Sequence, residues 1–122
     1  MFELKVIESF AAAHRLSMVT EKCENLHGHN WKVELYVKAE ELNNAGVVED
    51  FGVIKKYLRE IMSYLDHSFL NELEPFKSIN ASSENIAKFI ADEMDQKIGN
   101  NKISVSRVIV WESDNAAATY YP

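Results

Sequence analysis

The chain has 122 residues, enough for one domain (1–122) around one core and too few for two. It is 47% hydrophobic, which excludes a disordered chain, and its formal net charge of −6 argues against a nucleic-acid partner, which needs a basic face. No run of 18 apolar residues occurs, so no membrane span is expected.

The N-terminus, Met-Phe-Glu-Leu-Lys-Val, carries Glu3 and Lys5 and reads as no signal peptide. Cys23 is the only cysteine, so no internal disulfide forms, in keeping with a cytoplasmic protein. Residues 2–10 alternate apolar Phe2, Leu4, Val6 and Phe10 with Glu3, Lys5 and Ser9, and predict a strand. Residues 12–28 have no clean period and predict a long irregular connection, of the kind that carries function. Residues 30–40 alternate most clearly: Trp31, Val33, Leu35, Val37 and Ala39 against Lys32, Glu34, Tyr36, Lys38 and Glu40, a half-buried antiparallel strand. Glu41–Gly46 predicts a turn.

Asp50 then predicts the cap of a helix over 51–65, with Ile54, Leu58, Ile61 and Leu65 as its apolar stripe. Asp66–Asn71 ends it, and Pro75–Ser82 is a second long connection. Ser82 or Ser83 caps a second helix over 83–98, with Ile86, Phe89, Ile90 and Met94 inward and Gly99-Asn100 as its stop. Residues 103–112 and 116–121 predict a hairpin of two strands about a Ser-Asp-Asn turn. The order ββααββ implies an α+β fold: a four-stranded antiparallel sheet with two helices on one face. Such a sheet has two edges to protect, and strand pairing between subunits covers them.

The chemistry concentrates in residues 10–31, which hold His14, Cys23, His27 and His29. In an extended chain His27 and His29 lie on one face, roughly 6.6 Å apart along the backbone, and can lean onto one ion. His14 supplies a third imidazole from a preceding element, a set that suits zinc with a fourth position open for water or substrate. The alternative is a closed structural zinc site in which Cys23 is the fourth ligand. As a non-ligand beside zinc, Cys23 is a candidate base or nucleophile; otherwise it is an inert buried thiol. His67 follows Asp66 at a helix end, where a carboxylate orients an imidazole for acid–base work or simply caps the helix. Glu112 is a charge amid Val110-Trp111: either it faces water at a strand end, or it accepts hydrogen bonds from a guanidine-like group.

Taken together, Ser9-Phe10-Ala11-Ala12-Ala13-His14-Arg15-Leu16, Cys23-x3-His27-Gly28-His29-Asn30, Asp50-Phe51, Leu65-Asp66-His67-x2-Leu70-Asn71, Ser82-Ser83-Glu84-Asn85 and Trp111-Glu112 closely resemble the 6-pyruvoyltetrahydropterin synthase family, across almost the whole chain and in the family's order. The resemblance implies the tunnelling fold, in which three subunits join sheets into a barrel and two trimers stack as a homohexamer. It implies His14, His27 and His29 as zinc ligands and Cys23 as a catalytic thiol off the metal. Asp66 and His67 are implied as proton-transfer partners from an adjacent subunit. Glu112 is implied as the carboxylate that anchors the pterin's 2-amino and ring N–H donors, with Ser83 and Glu84 as further pterin contacts.

Two departures stand out: Glu49 before Asp50-Phe51, where an apolar residue is usual, and no evident basic cluster for a triphosphate beyond Lys22 and Arg15. Three residues separate Cys23 from His27, the spacing of the family's carboxy-forming branch; the pyruvoyl-forming branch generally has five. The resemblance therefore leads us to expect a carbon–carbon lyase converting 7,8-dihydroneopterin triphosphate to 6-carboxy-5,6,7,8-tetrahydropterin, acetaldehyde and triphosphate, in queuosine precursor synthesis. The alternatives are triphosphate elimination to the 6-pyruvoyl product, and a zinc-stabilised binding module without catalysis, in which Cys23 would sit on the metal.

Overall fold

A computed structural model describes residues 1–18 and 25–122; Cys23 and Lys22 lie outside the described residues. The elements are β1 (Phe2–His14), β2 (His27–Ala39), α1 (Phe51–Leu65), β3 (Ser68–Phe69), a 3-10 turn (Leu70–Glu72), α2 (Ser83–Ile98), β4 (Ser104–Ser113) and β5 (Ala116–Tyr120). One sheet runs in the order β3-β1-β2-β4-β5, with five strands where the sequence predicts four. The extra strand is a two-residue segment that pairs parallel to β1 at Ala12↔Ser68 and Ala13↔Phe69. So short a strand has no period of its own, and its pairing comes from where α1 ends. The remaining pairs are antiparallel.

Both helices pack on one face of the sheet, α1 against β1 and α2 against β4 and β5. Asp50 caps α1 by accepting from the Gly52 N–H (2.7 Å), and Ser82 caps α2 by accepting from the Asn85 N–H (3.1 Å). The predicted inward positions of α1 (Ile54, Leu58, Ile61, Leu65) are all buried, as are Ile86, Ile90 and Met94 of α2. They meet Val6, Phe10, Trp31, Val33, Leu35, Val108 and Val110 of the sheet in a single core. α2 stops at Ile98, but Gly99 is extended (φ −63°, ψ 136°) and not left-handed; its N–H bonds the Asp95 carbonyl.

β1 and β2 are longer than their periodicity announces. β1 runs on to His14 and β2 begins at His27, so both ends of the predicted irregular connection are sheet. Their register pairs Phe2 with Ala39 at one end and His14 with His27 at the other. Ala11, Ala12 and Ala13 carry no alternation that reads as a strand, and the ladder to Gly28–Asn30 is what extends them.

Candidate metal centre and active site

Each of three strands carries an apolar stripe on the helix-covered face, and each stripe turns polar at the same end of the sheet. In β1 the series Phe10, Ala12, His14 is buried throughout. In β2 the series Val33, Trp31 continues to His29 and His27, and in β4 Val108, Val110 continues to Glu112. Side chains two residues apart share a face, and direct cross-strand partners do too, so the His14↔His27 pairing puts all three imidazoles together. Glu112 follows a slip in the β4–β5 register, where Trp111 pairs with Ala117 but Ser113 pairs with Ala116. Such a bulge leaves one residue unpaired, and Glu112 stays in phase with Val108 and Val110. Trp31 floors the cluster: fully buried, it holds the Ala12 carbonyl through its indole N–H (3.2 Å) and sets its ring edge-on to His14 and His29.

The result is a group of four donors, one each from His14, His27, His29 and Glu112, all within 4.8 Å of one another. His14 is fully buried, and its Nδ1 lies 2.7 Å from the Ala81 carbonyl oxygen. The His27 Nδ1 lies 2.7 Å from the Asn25 carbonyl. A carbonyl only accepts, so both Nδ1 atoms carry a proton, and in the neutral form each ring turns its Nε2 lone pair toward the centre. Backbone acceptors of this kind set the tautomer of metal-bound histidines. Burial pushes the His29 pKa down, and the other two histidines add to that, while Glu112 opposes it. The net effect favours the neutral ring, the form a metal requires.

The His29 Nε2 is buried and lies 2.9 Å from Glu112 Oε1, yet the pair does not meet in the directions a hydrogen bond needs. A buried nitrogen with no hydrogen-bond partner among the described residues, beside two imidazoles whose Nδ1 protons are held elsewhere, is a donor set a zinc ion fits. Glu112 is thus neither a strand-end carboxylate facing only water nor far from the histidines: its Oε1 is 3.2 Å from His14 Nε2 and 3.8 Å from His27 Nε2.

The second cluster sits at the end of α1. Asp66 caps the helix C-terminus through its N–H to the Met62 carbonyl. Its Oδ1 accepts from the Ala11 N–H (2.8 Å), and the His67 N–H donates to the Ala11 carbonyl (2.6 Å). These two bonds grip both backbone groups of Ala11, on the strand that ends in His14. The bond from Ala11, first, and the neighbouring His67 hold the Asp66 carboxyl below the usual carboxylate range. Asp66 Oδ2 lies 2.8 Å from His67 Nδ1, so adjacent side chains that often point apart are paired here. A left-handed backbone at His67 (φ +54°) makes this possible. The His67 Nε2 edge then faces outward on a side chain 85% exposed.

Ser83 begins α2 and Glu84 lies in its first turn, exposed. Both follow Ala81, whose carbonyl fixes His14, so the start of α2 abuts the cluster. The Ala81 and Asn25 carbonyls and the Ala11 N–H are backbone groups, and no side-chain pattern in the sequence signals them. Glu112 had a signal in phase: it shares parity with the inward Val108 and Val110. An open cleft of about 300 Å³, lined by Ala11, Ala12, Gly28, His29 and Asn30, lies beside the histidines.

The profile of the family described as 6-pyruvoyl tetrahydropterin synthase matches residues 3–122. The chain is 33% identical to a Synechocystis sp. protein named 6-carboxy-5,6,7,8-tetrahydropterin synthase, over 93% of this chain and 88% of that one. It is likewise 33% identical to human 6-pyruvoyl tetrahydrobiopterin synthase, over 92% of this chain and 86% of that one. Among solved structures, Caenorhabditis elegans 6-pyruvoyl tetrahydropterin synthase superposes with a TM-score of 0.87 at 26% identity, covering 99% of this chain and 95% of that one. The chain belongs to the 6-pyruvoyl tetrahydropterin synthase family, with that family's tunnelling fold.

Proposed function

We propose that the protein is a zinc-dependent 6-carboxy-5,6,7,8-tetrahydropterin synthase, a carbon–carbon lyase of queuosine precursor synthesis acting on 7,8-dihydroneopterin triphosphate. The observation that carries the reading is the convergence of three preset imidazoles at one end of the sheet, in a chain of this family. His14, His27 and His29 would hold the ion. When bound, zinc supplies a Lewis acid that stabilises negative charge on side-chain oxygens of the substrate. Every other role falls to the chain.

Glu112 would anchor the ring by accepting from its 2-amino and ring N–H donors, with Ser83 and Glu84 as further contacts. Cys23 and the Asp66–His67 pair would move protons on opposite sides of the side chain. In that pair Asp66 keeps the proton on Nδ1, which leaves Nε2 as the exchanging atom. Its exposure within one chain supports a site completed by a neighbouring subunit. The open edge of β5 supports strand pairing between subunits, in a hexamer of two trimers. A species of one chain's mass in sedimentation would remove that assembly.

The three-residue gap from Cys23 to His27 and the name of the Synechocystis relative favour the carboxy product. The test is incubation with dihydroneopterin triphosphate, trapping of released aldehyde and weighing of the pterin. Acetaldehyde with 6-carboxytetrahydropterin supports the reading. A 6-pyruvoyl product without acetaldehyde replaces it with the activity named for the human relative. Zinc uptake without turnover replaces it with a binding module.

A further inference from the structure

The carboxylate of Glu112 brings an oxygen into the group of three imidazoles, within 4.8 Å of each of their donor nitrogens. The Nδ1 protons of His14 and His27 are committed to the Ala81 and Asn25 carbonyls, so each ring in its neutral form presents a lone pair at Nε2. A carboxylate oxygen is an acceptor as well. A protonated His14 Nε2 can donate to Glu112 Oε1 (3.2 Å), but neutral rings leave acceptors facing one another, and among the described residues the His29 Nε2 makes no well-directed hydrogen bond to relieve the set.

The spacings identify what resolves it. Zinc bonds of about 2.0–2.1 Å at tetrahedral angles put neighbouring donors about 3.3–3.4 Å apart. Glu112 Oε1 lies 3.2, 3.8 and 2.9 Å from the Nε2 atoms of His14, His27 and His29. Those distances scatter about one tetrahedral edge. A single proton relieves one of the three contacts, whereas one ion at their centre relieves all three.

We propose that Glu112 is a displaceable fourth donor of the metal site. With no substrate present its Oε1 closes the coordination position; with substrate present it leaves that position to the side-chain oxygens and turns to the ring. The inference rests on the metal and ring-anchor readings above and joins them in one residue. The local build suits a moving part. The imidazoles of His14 and His27 are tied to backbone carbonyls, while the Glu112 side chain, a third exposed, reaches the cluster from a bulge with no backbone tie among the described residues. A carboxylate in that position of the empty enzyme would keep water out of it. It also makes metal retention depend on a residue that the histidine motif does not include.

The test uses the full chain, stripped of metal and reloaded with zinc or cobalt(II). Zinc affinity is measured by chelator competition, and the visible ligand-field bands of the cobalt protein report its coordination. Glu112→Gln keeps size and removes charge. Its zinc dissociation constant is expected to rise about tenfold or more, the low end of what even an outer partner's loss costs, and its cobalt bands to differ from the wild type's. Neopterin, an unreactive oxidised ring with a hydroxylated side chain, is expected to shift the wild-type bands as the carboxylate leaves. Wild-type zinc affinity and wild-type bands in Glu112→Gln overturn the proposal, as do wild-type bands unmoved by saturating neopterin. Failure of the wild type to take up either metal overturns the metal reading itself, a separate result. None of these readouts depends on which product the enzyme makes.

Discussion

Two clusters in this molecule pair histidine with a carboxylate, and they are built in opposite ways. The group of His14, His27, His29 and Glu112 lies at the end of the core face, with His14 fully buried and floored by Trp31. The Asp66–His67 pair lies at a helix end, with the His67 side chain 85% exposed. In the first, backbone carbonyls hold the Nδ1 protons of His14 and His27 and burial lowers the His29 pKa, so the Nε2 edges converge as a donor set that could hold a metal ion. In the second, the carboxylate lies 2.8 Å from Nδ1 and the rest of the ring stands exposed, the arrangement proposed above for proton transfer. The same two residue types are suited to different chemistry because one cluster is built into the core face and the other stands exposed.

The largest effect separating the two is expected from His14→Ala. It removes a donor and leaves the buried Ala81 carbonyl unpaired, so stoichiometric zinc should be lost and the metal-free fold weakened by about 1–3 kcal/mol. Metal analysis and denaturant melts measure both; full zinc retention would falsify the ligand assignment. His67→Ala should do the reverse: zinc content and melting point hold, while turnover falls by about 10²–10⁴-fold. If that variant loses zinc, the two clusters are one site and the comparison breaks.

A smaller effect is expected at the backbone. His67→Gly removes a side chain from a left-handed conformation (φ +54°), which costs an ordinary residue about 1 kcal/mol or more. The variant should therefore be as stable as the wild type or slightly more so in denaturant melts, with turnover lost as in His67→Ala. A marked destabilisation would mean that the exposed ring carries packing the structure does not assign to it.

The smallest effect is a pH dependence at Asp66. Its folded pKa is depressed, chiefly by the Ala11 N–H. The stabilisation is therefore present above the unfolded value of about 3.9 and is lost as pH falls through the lower folded value. The stability gap between wild type and Asp66→Asn should narrow as pH drops below about 4. A gap that widens on acidification would reverse the sign argued here.

Much of this was legible in the sequence. Both helices, their caps at Asp50 and Ser82 and their buried stripes follow from spacing, because a helix reads out its own apolar face locally. The three histidines were legible as candidate ligands from clustering and an i, i+2 pair, and the structure brings their donor nitrogens together. The extension of β1 to His14 and the start of β2 at His27 were not, because the run Ala11-Ala12-Ala13 and Gly28 carry no period and gain strand form only from each other. Nor was β3, whose two residues pair with β1 because α1 delivers them there.

By itself the sequence determined which residue types were available and which face of each element was apolar, since alternation and helical spacing are properties of neighbours along the chain. Only the tertiary structure decided that three apolar stripes end together, and that a bulge carries Glu112 into the ring of histidines. Tertiary structure also decided which nitrogen each proton occupies, through Ala81, 67 residues from His14, and through Asn25, two from His27. Those outcomes depend on register between strands and on backbone groups that every residue carries. A pattern of side chains cannot announce them.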